Sequence, residues 1–312
     1  MPTGTVKAFA PAAISSFFEI CDQTGDGMPI DNLEQIGSRG GGFGLQKGVL
    51  TKVKVCPSKN SSIQVTINGQ SAPEAVTTKA VAQELLSRAR ETCGVFIDHT
   101  IEVPIGIGFG TSAGGGLTSG LALADALGLA LTFNQIGKIA HIADVKCKTG
   151  LGTVTPLTYG GTCMLVLEPG APGIGKVDRI ILDPTYVLVA GIVKTTAPKS
   201  VLSNSQKHPE IKCWGRKTLD KILEDPSIEN FMASCWEFAQ KTGFATEKVK
   251  QLVDLAEKAG AVGAAQNMIG EVVHAVVKEK NADHVAEAFK QVLPRGNVFV
   301  SKLEMEGARL VT

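Results

Sequence analysis

The sequence predicts an α+β fold in two lobes, on three observations. Strand-like and helix-like segments alternate along both halves without an internal repeat. Glycine is abundant, at 35 residues, and many of these cluster in three short stretches instead of in linkers. Pro169 to Gly175, with two prolines and three glycines, marks a break near the middle of the chain. The expected lobes are residues 1–172 and 173–312, and a chain of 312 residues that is 44% hydrophobic can give both a core.

The elements follow in order. Val6 to Ile14 is apolar and extended, interrupted by Pro11, and an Asp- and Gly-rich loop runs from Cys21 to Gly27. A glycine cluster, Gly37-Ser38-Arg39-Gly40-Gly41-Gly42-Phe43-Gly44, precedes two alternating stretches, Leu50 to Cys56 and Ser62 to Ile67, the second followed by the turn pair Asn68-Gly69. Glu74 to Cys93 places Val76, Ala80, Val81, Leu85, Leu86 and Ala89 at helical spacing. Phe96 to Val103 alternates as a strand and runs into a glycine-rich loop, Pro104 to Gly116. Leu117 to Leu131 is almost wholly small or apolar, as in a helix buried on most sides. A second helix, Phe133 to Asp144, leads into Lys148-Thr149-Gly150-Leu151-Gly152-Thr153, and strands at Tyr159 to Leu167 and Val177 to Leu182 close the first half. Beyond the break come a strand (Tyr186 to Lys194), helices at His208 to Leu223, Ile228 to Thr242 and Glu247 to Ala259, and a small-residue stretch, Gly260 to Gly270. A β-like run (Glu271 to Val277), a helix (Ala282 to Val292) and a strand (Asn297 to Leu303) complete the pattern.

Composition excludes several classes of function. A formal net charge of +1 gives no electrostatic case for nucleic acid or an anionic membrane, and 5% aromatic residues are too few for base-stacking platforms. Seven scattered cysteines without a Cys-x-x-Cys pair suggest neither a disulfide framework nor a zinc site. No run approaches the roughly 18 apolar residues of a membrane span. A cytoplasmic protein with no nucleic-acid or membrane partner is expected, with a homodimer left open.

The chemistry concentrates in the loop Gly106-Ile107-Gly108-Phe109-Gly110-Thr111-Ser112-Ala113-Gly114-Gly115, which ends a strand and opens a small-residue helix. There, backbone N–H groups and the positive end of the helix converge, and glycine allows phosphate oxygens to approach. Ser112 either caps the helix or ligates a phosphate-bound Mg²⁺. A Walker loop is excluded because no lysine lies in the loop, and a dinucleotide-binding fingerprint fits poorly: the glycine spacing is irregular and no strand ending in an acid follows.

Pro104 to Gly115 resembles the second signature of the galactokinase, homoserine kinase, mevalonate kinase and phosphomevalonate kinase (GHMP) superfamily. Phe9 to Ser15 stands where that superfamily has its first signature, and Gly260 to Gly270, in degenerate form, where it has its third. Phe17-Phe18-Glu19-Ile20, Gly37-Ser38-Arg39-Gly40, Phe43 and Thr149-Gly150-Leu151-Gly152 are most similar to the archaeal pantoate kinase branch. The resemblance implies an N-terminal nucleotide-binding lobe with a left-handed βαβ crossover, against the usual hand, and a ferredoxin-like C-terminal lobe. It also implies ATP and Mg²⁺ as cofactors, with ATP and a small acceptor bound between the lobes. Pro104, Gly106, Gly108, Gly110, Thr111, Ser112, Ala113, Gly114 and Gly115 would bind the phosphates, and Ser112 and Asp144 the metal. Ser15, Arg39, Lys194, Lys199 and Thr153 would face the acceptor; Lys7 is a further basic residue ahead of the first signature.

The sequence departs from the branch at three places, of which the first two bear on the acceptor. Thr153 stands where an acid normally follows Thr-Gly-Leu-Gly, and Asp144 where a Glu is usual; Ala12-Ala13 replaces a Gly-His pair. Because phosphoryl transfer depends chiefly on positioning and charge neutralisation, loss of a base need not abolish turnover. A neutral threonine in place of a carboxylate points to a more anionic acceptor, since like charges a few ångströms apart repel by about 1 kcal/mol or more. The branch includes a relative of this kind, mevalonate-3-phosphate 5-kinase, and resemblance to it implies phosphorylation of the 5-hydroxyl of mevalonate 3-phosphate, in an archaeal isoprenoid pathway. The alternatives are pantoate phosphorylation in coenzyme A biosynthesis, an ATP-dependent decarboxylase of the same superfamily, and a non-catalytic nucleotide-binding regulator.

Overall fold

A computed structural model describes residues 4–194, 207–268 and 270–312. Two long strands organise it: β1, Val6–Cys21, and β2, Gly37–Pro57. They pair antiparallel along almost their whole length, with irregularities between Pro11 and Ala12 and between Ser15 and Phe17. Pro11 therefore does not end β1; lacking an N–H, it is accommodated beside a bulge. The glycine cluster at 37–44 lies inside β2, where it permits a close crossing of β1. A Cβ on Gly42 would stand 1.7 Å from the Ile14 carbonyl oxygen.

The rest of the first unit is built onto β2. Strand β3, Ser62–Ile67, turns through Asn68 and Gly69, both at positive φ, into the short β4, Gln70–Ser71. Helix α1, Val76–Leu86, then returns the chain to β5, Cys93–Ile101, which runs parallel to β3 and antiparallel to β2. The helix expected over Glu74 to Cys93 thus stops seven residues early, and Cys93 opens a strand. The α2 helix, Thr111–Ala126, begins inside the expected glycine loop, and α3, Phe133–Lys146, follows with a Thr132/Gln135 capping box. A short helix the sequence did not reveal, α4, Val154–Tyr159, precedes β6, Cys163–Glu168, and β7, Lys176–Ile180. The far end of β2 pairs with β6, which pairs with β7.

In the second unit, β8 (Tyr186–Ile192), β9 (Gly263–Gln266), β10 (Val272–Lys278) and β11 (Val298–Lys302) form an antiparallel sheet in the order β11-β8-β10-β9. Counted within the unit the order is 4-1-3-2, the ferredoxin-like arrangement. Helices α5 (His208–Glu224), α6 (Ile228–Lys241) and α7 (Glu247–Lys258) lie between β8 and β9, and α8 (Ala282–Lys290) between β10 and β11. A final strand, β12, Arg309–Val311, returns to pair with β1 in the first sheet.

Three cores result. α1, α2 and α3 bury Val81, Leu85, Leu117, Leu121 and Ile136 against Val53, Val95 and Ile97 of the large sheet. α7 and α8 cover one face of the small sheet through Leu252, Val285 and Phe289. The third core joins the units: Phe17, Phe18 and Phe43 of the long strands meet Phe231 and Phe238 of α6 edge to face, with centroids 5.3–6.3 Å apart. Among the described residues no helix is long and apolar enough to cross a membrane.

The crossing of β1 and β2 is the constraint that bends both sheets. Gly42→Ala is expected to lower unfolding stability by about 3 kcal/mol or more, read by chemical denaturation; a change within experimental error would show that the crossing relaxes freely.

Candidate functional site

The three glycine-containing segments singled out in the sequence meet at one place. The Ala13 amide on β1 donates to the Phe109 carbonyl at 3.0 Å, and the Met268 amide donates to the Ser15 carbonyl at 2.8 Å. Gly108, at φ +88°, lies so close to the third segment that a Cβ there would stand 2.6 Å from the Met268 carbonyl oxygen. Only glycine satisfies both conditions.

The loop delivers the chain to α2 through Gly110, which caps the helix in the left-handed conformation with no side chain to accept from the first-turn amides. The first helical bond is Gly114 N–H to the Gly110 carbonyl, at 3.0 Å. The amides of Thr111, Ser112 and Ala113 precede it, so the helix N-terminus presents donors and a partial positive charge. Every residue of α2 is buried except Ser112 and Asp125. Ser112 is the least buried residue of that first turn, and with Thr111 it lines a cleft of about 360 Å³.

Asp144, on α3, approaches the same turn from behind. It is 2% exposed, its Oδ1 accepts from Thr149 Oγ1 at 2.6 Å, and a Cβ on Gly150 would meet its Oδ2 at 2.2 Å. Ser112 Oγ donates to the Thr149 carbonyl at 3.4 Å, so Ser112, Thr149 and Asp144 form one oxygen cluster. Burial pushes the Asp144 carboxyl above its ordinary value of 3.8, while hydrogen bonds from Thr149 and Ser112 pull the other way.

The expected site residues separate into those facing the cleft and those elsewhere. Gly106, Gly108, Gly110, Thr111, Ser112, Gly115, Ser15 and Thr153 line it; Pro104, Ala113 and Gly114 do not, and Ala113 and Gly114 are packed inside the helix layer. Thr153 is the N-cap of α4 yet makes no capping bond with its side chain, and its methyl packs toward Gly110. Arg39 is turned from the cleft into an ion pair with Glu19, at 2.7 Å, and Glu19 also faces Arg216 of α5 at 3.5 Å. Lys194 pairs with Glu271 at 2.8 Å and does not line the cleft. Lys199 lies outside the described residues. His141 is buried, with Nε2 2.9 Å from the Ile36 carbonyl oxygen, and burial lowers its pKa.

Sequence reasoning missed part of the wall. Ser38 and Thr149 lie inside the resembling motifs without an expected role, and His99 carries no signal beyond its place in an alternating strand. His99 lines the cleft beside Gly115, held between Thr51 at 2.7 Å and Thr78 at 3.0 Å. Burial lowers its pKa to about 4, so it is neutral near pH 7. Ile67, Ala75, Val76, Ile101 and Ile105 make the cleft apolar at the end formed by β3, β5 and the start of α1.

A Ser hydroxyl beside a carboxylate is a hard-oxygen donor pair suited to Mg²⁺. No group of three or more His, Cys, Asp or Glu among the described residues can hold a metal alone. A metal here would therefore need oxygens from a bound ligand to complete its shell. Ser112 and Asp144 would hold it; when bound, it would offset negative charge on phosphate oxygens.

These features converge on one cleft beside the first turn of α2, and the comparisons with known proteins identify the family. Residues 76–161, which carry α1, β5, α2, α3 and α4, match the family described as "GHMP kinases N terminal domain". The chain is 31% identical to a pantoate kinase of Thermococcus kodakarensis over 94% of this chain and 93% of that one. It is 28% identical to a pantoate kinase of Methanocaldococcus jannaschii, over 90% and 96%. A solved structure described as a "Phosphotransferase related to CoA biosynthesis pathway" superposes with a TM-score of 0.85 at 28% identity, covering 99% of both chains. The chain belongs to the GHMP kinase superfamily, within its archaeal pantoate kinase branch. It is a phosphotransferase with an alcohol group as acceptor.

The expectation of mevalonate 3-phosphate as acceptor is corrected by these relatives, which are pantoate kinases and a coenzyme A-related phosphotransferase. The physical reason lies in the cleft. Thr153 was read as making room for an extra phosphate, but such an acceptor needs cations as well as the absence of an acid. Among the described residues no Lys or Arg lines the cleft, and Arg39 and Lys194 are held by Glu19 and Glu271.

Two substitutions test the cluster. Ser112→Ala is expected to lower kcat by about 10²-fold with unchanged melting temperature, because its 3.4 Å bond contributes little to the fold; unchanged kinetics would remove Ser112 from the site. For Asp144 the sign follows from its raised pKa. The native state holds this proton to higher pH than the unfolded chain, so its ionisation costs stability as pH rises from 3.8 through the native value. Asp144→Asn is therefore expected to raise the melting temperature at pH 7 while turnover falls; a lower melting temperature would mark Asp144 as structural.

Proposed function

We propose that the protein transfers the γ-phosphoryl group of ATP, with Mg²⁺, to a hydroxyl of pantoate in the cytoplasm, as a step of coenzyme A biosynthesis. The observation that carries this reading is the first turn of α2, where the helix N-terminus, Thr111 and the Ser112 hydroxyl adjoin one open cleft. The β- and γ-phosphates would sit at that turn, with the metal held by Ser112 and Asp144. The apolar end at Ile67, Val76, Ile101 and Ile105 would take the base and ribose.

The acceptor would lie on the other side of Ser112. There the cleft meets a smaller hollow of about 40 Å³, and Ser15, Phe18, Ser38, Gly152 and Thr153 belong to both. The walls combine hydroxyls with Ile14, Phe17, Met164 and Val166. That mixture suits a molecule with one carboxylate, two hydroxyls and a gem-dimethyl carbon, which is pantoate. Ser15, Ser38 and Thr153 would donate to or accept from its oxygens. With no carboxylate at position 153, transfer would rest on positioning and charge neutralisation, which suffices for a loose transition state.

The direct test is ADP release from ATP and Mg²⁺ with pantoate, mevalonate or mevalonate 3-phosphate supplied in turn. Pantoate-dependent release that the other two do not match is expected; release with either of the others and none with pantoate would overturn the acceptor assignment.

A further inference from the structure

His274 on β10 is fully buried, where a leucine would pack without leaving polar atoms to satisfy. Both its nitrogens are engaged, and by different parts of the fold. Nε2 lies 2.9 Å from Ser16 Oγ on β1, and Nδ1 lies 2.8 Å from Asn267 Oδ1 in the third glycine-containing segment. Asn267 is itself completely buried, and its Nδ2 donates to the Gly108 carbonyl at 3.5 Å.

The chemistry of these groups allows one consistent assignment. A carbonyl only accepts, so the atom of Asn267 facing Gly108 is the amide nitrogen and the atom facing His274 is the oxygen. Nδ1 must then carry the hydrogen, Nε2 is bare, and the Ser16 hydroxyl donates to it. Burial lowers the His274 pKa to about 3, so the ring remains neutral and this tautomer is not replaced by the doubly protonated form. The chain Ser16 → His274 → Asn267 → Gly108 thus runs from β1 through the small sheet to the loop that precedes α2.

We propose that His274 is a positioning residue: its Nδ1–H fixes the Asn267 amide, which holds the Gly108 carbonyl and so sets the phosphate loop from the second lobe. A carbonyl held in this way is not free to turn toward phosphate oxygens, which it would repel. The inference rests on the reading that the Gly108–Gly115 loop binds the nucleotide phosphates. It adds that the second lobe, which supplies few residues to the cleft, governs nucleotide affinity.

The first test needs no variant of altered packing. Nitrogen-15 NMR of the full chain labelled at its five histidines should show the His274 ring protonated on Nδ1 and bare on Nε2. The opposite tautomer would place the Asn267 oxygen against the Gly108 carbonyl and overturn the proposal. The second test compares two amide replacements. His274→Asn can put a donor where Nδ1 was, whereas His274→Gln can only replace the Nε2 side. The expected result is Mg·ADP affinity about tenfold weaker in His274→Gln, near wild type in His274→Asn, and an unchanged KM for pantoate in both. Equal losses in the two variants, or a parallel rise in the pantoate KM, would show a merely structural role. If Ser112→Ala loses turnover while His274→Gln binds Mg·ADP normally, only the positioning role fails; if both are silent, the phosphate-site reading fails with it.

Discussion

The structure depends on a helix whose first-turn amides are given no side-chain cap by the described residues. Gly110 supplies no capping oxygen, the body of α2 is buried in the larger core, and the first turn alone opens to the cleft. A helix N-terminus left unpaired in a protein interior is costly unless an anion or solvent completes it. Under the proposed function that partner is a phosphate that comes and goes. Ser112 and Asp144 extend the same logic: oxygens gathered at a point where a hard cation would bridge protein and ligand.

Holding that turn in place explains much of the remaining fold. The loop before α2 touches β1 through the Ala13 to Phe109 bond and touches the third segment through the close approach of Gly108 to Met268. Those contacts come from opposite lobes, so the lobes must keep a fixed relation. The aromatic cluster of Phe17, Phe18, Phe43, Phe231 and Phe238 supplies this, and β12 ties the C-terminal end of the chain back to the first sheet. An independent hinge between the units would carry the loop away from its own support.

Much of this was legible in the residues. Strands and helices fell close to their expected places wherever a hydrophobic period ran uninterrupted, as at Tyr186 to Ile192 or Ile228 to Lys241. The misses have physical causes. Pro11 read as a break because a bulge that accommodates it depends on the partner strand. Gly37 to Gly44 read only as a glycine cluster and not as part of a strand, because glycine's absence of a side chain hides the period of a crowded strand crossing. α4 and β9 are too short, at six and four residues, to show a period. Ser112 and Asp144, singled out from motif and order, are brought into one cluster with Thr149, whereas Arg39, expected at the acceptor, turns away from the cleft because its partner Glu19 lies twenty residues away in sequence and directly across the strand pair. The acceptor was misjudged from the substitutions at Thr153 and Asp144, since the sequence did not show that no Lys or Arg among the described residues lines the cleft.

The central claim is that amides at the start of α2 grip the nucleotide phosphates. Backbone amide NMR during titration with Mg·ADP tests it most directly. Large downfield shifts confined to Thr111, Ser112, Ala113 and the preceding glycines are the predicted result. Saturable binding that leaves these amides unmoved and shifts another surface would contradict it.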